Sequence, residues 1–205
     1  MIEASEALAR LRDGNARFAA GVRQRDHYDR QQLIAGQEPF AVVLGCSDSR
    51  VPVEIVFDQG LGDLFVIRVA GNIVAPSQVG SIEYAAEIFG TRLVVVLGHQ
   101  KCGAVGAAID QIQRAEKGGA LSPGLRSIVD RIRPSISGLM ATPLRDDTEA
   151  LYREAVRSNV RVAADALRHG SAILERSIRE DGLVVVGAVY SLETGLVDFF
   201  EGVPV

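Results

Sequence analysis

No apolar run in the 205-residue sequence exceeds strand length, basic residues are not in excess, and only two cysteines occur; each shortage removes a class of function. A membrane-spanning helix needs about 20 consecutive apolar residues, so no membrane span is expected. A net charge of −4 and a pI near 5.4 argue against a general nucleic-acid binder, which needs a clustered basic surface to release counterions from phosphate. Two cysteines make at most one disulfide, and in a cytosolic protein a thiol pair is more often metal-binding or catalytic than a bridge. The segment Met1-Ile2-Glu3-Ala4-Ser5-Glu6 carries acids where a signal peptide needs a basic start and an apolar stretch, so a cytoplasmic location is expected. Repeats, low-complexity tracts, a Cys-x-x-Cys pair and the dinucleotide-binding Gly-x-Gly-x-x-Gly are all missing. The glycines from Gly98 to Gly106 follow a strand as a phosphate-binding loop would, but lack its Gly-Lys-Ser/Thr ending.

What is present suits one core: 47% hydrophobic and 23% charged residues predict a single domain over 1–205, with an amino-terminal helical arm over about 1–36. Ala4, Ala7, Leu8, Leu11 and Phe18 share one face of a helix over 4–20, stopped by Gly21, and the arm can pack on its own core or on a neighbouring subunit. Ala41 to Gly45, Leu64 to Val69, Leu93 to Gly98 and Leu183 to Val189 are short continuous apolar runs, the pattern of parallel strands buried on both faces. Leu196 to Phe200 reads as an edge strand after the turn at Glu193-Thr194-Gly195. Helical spacing appears after a Ser77 cap as far as Gly90, from about Ala104 to Arg114, and from Thr148 to Arg168. Between these, Gly118-Gly119 and Ser122-Pro123-Gly124 are turn signals, and Ile128, Val129 and Ile132 suggest a short helix ended by Pro134. The expected fold class is α/β: a mainly parallel sheet of about four strands plus a carboxyl-terminal edge strand, flanked by helices.

The chemistry gathers at two strand ends. Cys46-Ser47-Asp48-Ser49-Arg50 follows the first apolar run, and His99-Gln100-Lys101-Cys102-Gly103 follows the third. Open α/β sheets build their sites at that edge, which invites a shared pocket. Cys46, His99 and Cys102 supply the three ligands of a catalytic zinc with one open position. A closed structural site would need a fourth Cys or His. Two thiolates cancel the charge of the ion, so its water needs help from a base, and Asp48 can give it. The same carboxylate can take the fourth metal position in a closed state, unless Arg50 holds it by a bidentate contact. His27 and His169 stand in polar surroundings and read as surface residues.

These motifs, with Arg68-x-Ala70-Gly71-Asn72 and Ser81-Ile82-Glu83-Tyr84-Ala85 between them, resemble the β-class carbonic anhydrases in order and spacing from about Gln37 to Gly106. The resemblance implies a zinc lyase, carbonate dehydratase, that hydrates carbon dioxide reversibly to bicarbonate and a proton by attack of zinc-bound hydroxide. It further implies one Zn2+ per subunit of a homodimer or tetramer. By position it makes Cys46, His99 and Cys102 the zinc ligands and Asp48 with Arg50 the catalytic dyad. Gln37 and the Gly103 amide would contact substrate, while Phe65 and Tyr84 of the neighbouring subunit would line an apolar pocket. Gly45, Val51, Arg68 and Tyr190 resemble the lining of a regulatory bicarbonate site, although Val43 stands where members with that site have tryptophan. Two other functions fit the same residues: hydrolysis of carbonyl sulfide or carbon disulfide, and non-catalytic bicarbonate binding, for which a base beside the ligand has no use.

Overall fold

The computed structural model describes residues 2–22, 33–113 and 121–204. His27, Arg114 and the Gly118-Gly119 turn lie outside them. Twelve elements follow in order: α1 (Ala4–Ala19), β1 (Ala41–Gly45), α2 (Val53–Val56), β2 (Leu64–Arg68), α3 (Pro76–Ile88), β3 (Leu93–His99), α4 (Gly103–Gln113), α5 (Pro123–Ser137), α6 (Thr148–His169), α7 (Ala172–Glu180), β4 (Val184–Tyr190) and β5 (Val197–Glu201), with 3-10 turns at Ala70–Asn72, Leu139–Ala141 and Pro143–Asp146. Among the described residues no helix is long and apolar enough to cross a membrane.

The strands form one sheet in the order β2-β1-β3-β4-β5, parallel except for the antiparallel edge strand β5. Every residue of β1 and β3 is buried, as continuous apolar runs require, because helices cover both faces. Alternation divides the side chains. Val43, Val95, Leu97 and Val186 meet α1 and α2 through Leu8, Leu11 and Phe57. Val42, Leu44, Val94 and Val96 meet α3, α6 and α7 through Ile82, Val160, Leu167 and Leu174. A third cluster, from Cys46, Cys102, Ile109, Ile132, Ile136 and Leu151, closes the carboxyl end of the sheet under α4, α5 and the first half of α6.

Helix α1 sits on this chain's own sheet, a choice its spacing leaves open. Buried Asn15 ties it down, donating to the carbonyls of Val56 (3.1 Å) and Gly195 (2.9 Å) and accepting from the Val197 amide (2.8 Å). On its polar face Arg17 meets Asp58 at 2.6 Å and Arg10 meets Asp63 at 2.8 Å.

Three local expectations are corrected and one helix is added. Ser122-Pro123-Gly124 is not a separate turn: the Ser122 hydroxyl accepts from the Leu125 amide (3.3 Å) as the cap of α5, and Pro123 opens that helix. Helix α5 does not end at Pro134 but carries it inside, although an interior proline costs roughly 3 kcal/mol. Burial of Val129, Ile132 and Ile136 along one stripe outweighs that cost. Ser77 is not a cap: α3 begins at Pro76, preset for a first turn, with Ala75 at the cap position, and the Ser77 hydroxyl donates to Gln78 (3.1 Å). Helix α7 is an addition, capped by the Ser171 hydroxyl, which accepts from the Leu174 amide.

Helix α6 lies against bare backbone. A Cβ at Gly98 of β3 would stand 2.6 Å from Val160 Cγ2, and one at Gly187 of β4 would stand 2.7 Å from Val160 Cγ1. Gly98→Ala should therefore destabilise the fold by about 1–3 kcal/mol through overpacking. Adding Val160→Ala should return part of that loss, leaving the double variant above the sum of the single effects by ~0.5 kcal/mol or more. Equilibrium urea denaturation of the three variants checks this; strict additivity would mean that the close approach carries no strain.

Candidate metal centre

Strand order reverses between β1 and β3, since the chain leaves β1 for β2 on one side and returns to β3 on the other. Side chains at the carboxyl ends of those two strands meet in the resulting crevice. Cys46 directly follows β1, His99 ends β3, and a tight turn with Lys101 in the left-handed region (φ 54°) brings Cys102 back before α4 begins. One ligand-type atom from each of Cys46, His99 and Cys102 lies within 4.8 Å of the others, and all three residues are buried.

The donor set fits zinc. Two sulfurs ~2.3 Å from one tetrahedral ion stand roughly 3.8 Å apart, and the Cys46 and Cys102 sulfurs are 3.9 Å apart. His99 Nδ1 lies 2.8 Å from the Gln100 carbonyl, so with the proton there it donates and Nε2 presents a lone pair. That Nε2 is buried with no hydrogen-bond partner, an arrangement that costs free energy until something accepts the lone pair. Hydrogen bonding from the Cys102 thiol pulls the Cys46 thiol down against the opposing effect of burial, aided by the Gly71 amide, which donates at 3.3 Å. The same bond, together with burial, pushes Cys102 up. A divalent cation bound here would replace the shared proton.

Asp48 stands at the rim, with Oδ2 3.8 Å from His99 Nε2. Arg50 grips both its oxygens: Nε reaches Oδ1 at 2.9 Å, Nη2 reaches Oδ2 at 2.7 Å, and the Arg50 amide adds a bond to Oδ1 at 3.0 Å. These bonds hold the Asp48 carboxyl well below the usual carboxylate range. Arg50 also donates to the Lys101 carbonyl at 3.2 Å, tying the two loops together.

The remaining sequence candidates fall into separate groups. Gly103 opens α4 beside Cys102, where backbone amides have no partner within the helix. Gln37 is exposed on the approach to β1. Phe65 of β2 and Tyr84 of α3 lie with their rings 6.3 Å apart and pack with Phe89 at the sheet edge, in a different cluster from Cys46. Gly45 pairs with Arg68, whose guanidinium donates to the carbonyls of Cys46 (3.0 Å) and Asp48 (2.7 Å). Val51 and Tyr190 are buried together on the α1 face. His169 is exposed beside Asp165, 3.0 Å away.

Two residues went unnoticed in the sequence. The Tyr152 hydroxyl donates to the Cys102 carbonyl, and burial pushes that hydroxyl up to about 12. Asn159 donates to the Gly71 carbonyl at 2.8 Å. Its signal is a polar residue in an apolar stripe, midway between Ala155 and Ala163.

A family model described as carbonic anhydrase matches residues 41–197. The chain belongs to the β-carbonic anhydrase family. Carbonic anhydrase 2 of Mycobacterium tuberculosis is 43% identical over 191 residues, which cover 90% of this chain and 87% of the relative. A carbonic anhydrase of Mycolicibacterium smegmatis is 39% identical over 196 residues, 92% and 89% of the two chains. Among solved structures, one of two β-carbonic anhydrases of Sordaria macrospora described as tetrameric superposes with a TM-score of 0.74 at 26% identity, over 95% of each chain. The chain is thus a β-carbonic anhydrase in sequence and in fold.

In this β-carbonic anhydrase the Asp48–Arg50 pair predicts a pH signature. A carboxyl depressed in the folded state stabilises the fold above the ordinary Asp pKa, about 3.9, and that contribution fades as pH falls below it. In the metal-free protein, Arg50→Ala should raise the Asp48 midpoint toward the ordinary range. Carbon-13 NMR of the carboxyl reads the midpoint directly, and one that stays depressed would assign the effect to another neighbour.

Proposed function

We propose that this β-carbonic anhydrase hydrates carbon dioxide reversibly to bicarbonate and a proton, using one zinc ion per subunit held by Cys46, His99 and Cys102. The observation that carries the reading is the buried, unpartnered His99 Nε2 beside two thiols not joined in a disulfide, with a carboxylate 3.8 Å away already gripped by an arginine. When bound, zinc supplies a Lewis acid that makes water nucleophilic near neutral pH.

The protein's own groups do the rest. Cys46 and Cys102 as thiolates balance the ion's charge, which weakens its acidifying effect, so a base must assist. Asp48, kept ionised by Arg50, accepts a hydrogen bond from the attacking water and aims its lone pair at the substrate carbon. By occupying both carboxylate oxygens, Arg50 keeps Asp48 from closing the open metal position. The Gly103 amide and Gln37 take the oxygens of substrate and product. Phe65 and Tyr84, reaching in from a neighbouring subunit, give carbon dioxide an apolar wall suited to a small uncharged molecule. A protein that only stored bicarbonate would have no use for Asp48.

The reading takes the enzyme as a cytoplasmic homodimer or tetramer. Tyr84 and Ile88 expose 51% and 62% of their surface beside the edge strand β2, and an apolar patch next to an open sheet edge favours covering by another copy.

Stopped-flow hydration with metal analysis tests the proposal. Cys46→Ser should lose zinc and activity together. Arg50→Ala should keep zinc while kcat/KM falls by ~10²-fold or more, the scale of a lost positioned base. Stoichiometric zinc without carbon dioxide hydration at any alkaline pH, or faster turnover of carbonyl sulfide, would overturn it. Separately, Ile88→Arg should shift sedimentation toward a monomer that retains zinc but loses most activity.

A further inference from the structure

The Cys46 sulfur receives the Gly71 amide at 3.3 Å, and the conformation that aims this amide is costly. Gly71 (φ 71°, ψ 19°) and Asn72 (φ 44°) are successive left-handed residues in the turn after β2, the second of them without glycine's freedom. A side chain at Gly71 is barred, since a Cβ there would stand 2.7 Å from Ile132 Cδ1 and 3.1 Å from Ala104 Cβ. Glycine swings easily between φ/ψ regions, so close packing alone does not fix its amide direction.

Asn159 supplies the missing restraint. It is 3% exposed, sits on α6, and donates from Nδ2 to the Gly71 carbonyl at 2.8 Å. That bond pins the peptide plane after Gly71, while the sulfur accepts from the plane before it. Without Asn159 the carbonyl would be a buried acceptor lacking its partner, and the turn would gain by rotating.

We propose that Asn159 is a positioning residue: through Gly71 it keeps an amide donor on the Cys46 sulfur and so tunes that thiolate as a metal ligand. An amide bond to a thiolate draws charge from the sulfur. Less charge then reaches the ion, which preserves its pull on water in a site that already carries two thiolates. The inference rests on the zinc reading of Cys46.

The test uses the full-length protein with Asn159→Leu, near-isosteric and without the donor, and Asn159→Ser as a second variant where leucine prevents folding. Cobalt(II) replaces zinc as the optical probe, and zinc affinity is measured by chelator competition. In folded variants the sulfur-to-cobalt charge-transfer band should move to lower energy, because a thiolate short of one hydrogen bond gives up electrons more readily. Zinc should nevertheless bind about 10–100-fold more weakly, because the released turn no longer holds the Cys46 sulfur in place for it. Ser158→Ala removes the neighbouring hydroxyl, which donates to the Ser135 carbonyl at 2.7 Å, and should leave the band in place. A band unmoved in a folded Asn159 variant, or moved equally by Ser158→Ala, overturns the proposal. Wild-type protein that takes up neither ion overturns the metal reading itself, and this one with it.

Discussion

The parallel pairing of β1 with β3, from Val42 opposite Val94 to Gly45 opposite Leu97, is the constraint from which the metal centre follows. It sets the end of β1 beside the end of β3, so Cys46 and His99 enter one crevice although 53 positions separate them. A one-residue slip would turn every side chain of β1 to the opposite face and send Cys46 away from His99. The register is protected by its surroundings. Val42 and Leu44 are packed under α3 and α6, Val43 under α1, and neither set can exchange sides without exposing a core.

On that scaffold the charges are arranged with little redundancy. The centre itself is dry, with His99 fully buried and both thiols nearly so, whereas the Asp48–Arg50 pair lies at the wet rim. Ion pairs in such exposed places contribute little to stability. The value of this one is geometric, since a carboxylate 3.8 Å from the unpartnered His99 nitrogen can turn toward it or away from it. Arg50 and Arg68 fix that choice from two sides, one through the carboxylate oxygens and the other through the Asp48 carbonyl.

Much of this was legible before any coordinates. The apolar runs at Ala41–Gly45 and Leu93–Gly98 have the length and composition of buried strands, and each is followed at once by a residue with metal chemistry, Cys46 or His99, so the candidate centre was marked by position and residue type together. The errors came where long-range packing decided. Pro134 is a helix breaker by local rule, yet the stripe from Val129 to Ile136 keeps α5 going. Helix α7 is a different case, since its apolar pair Leu174 and Ile178, four apart, and its Ser171 cap stand in the sequence itself. Whether α1 served its own sheet depended on Asn15 meeting the carbonyls of Val56 and Gly195, partners that no spacing rule reveals. Phe65 and Tyr84 are placed together at an edge, in a cluster apart from Cys46.

Helix α6 carries two neighbours with different duties: Val160 rests on the glycines of β3 and β4, and Asn159 holds the turn behind Cys46. One rigid rod therefore carries both the packing on the sheet and the hydrogen bond behind Cys46. A change in the apolar residues beneath the helix and a change in the turn at Gly71 are mechanically joined, because both act through adjacent residues of one helical turn.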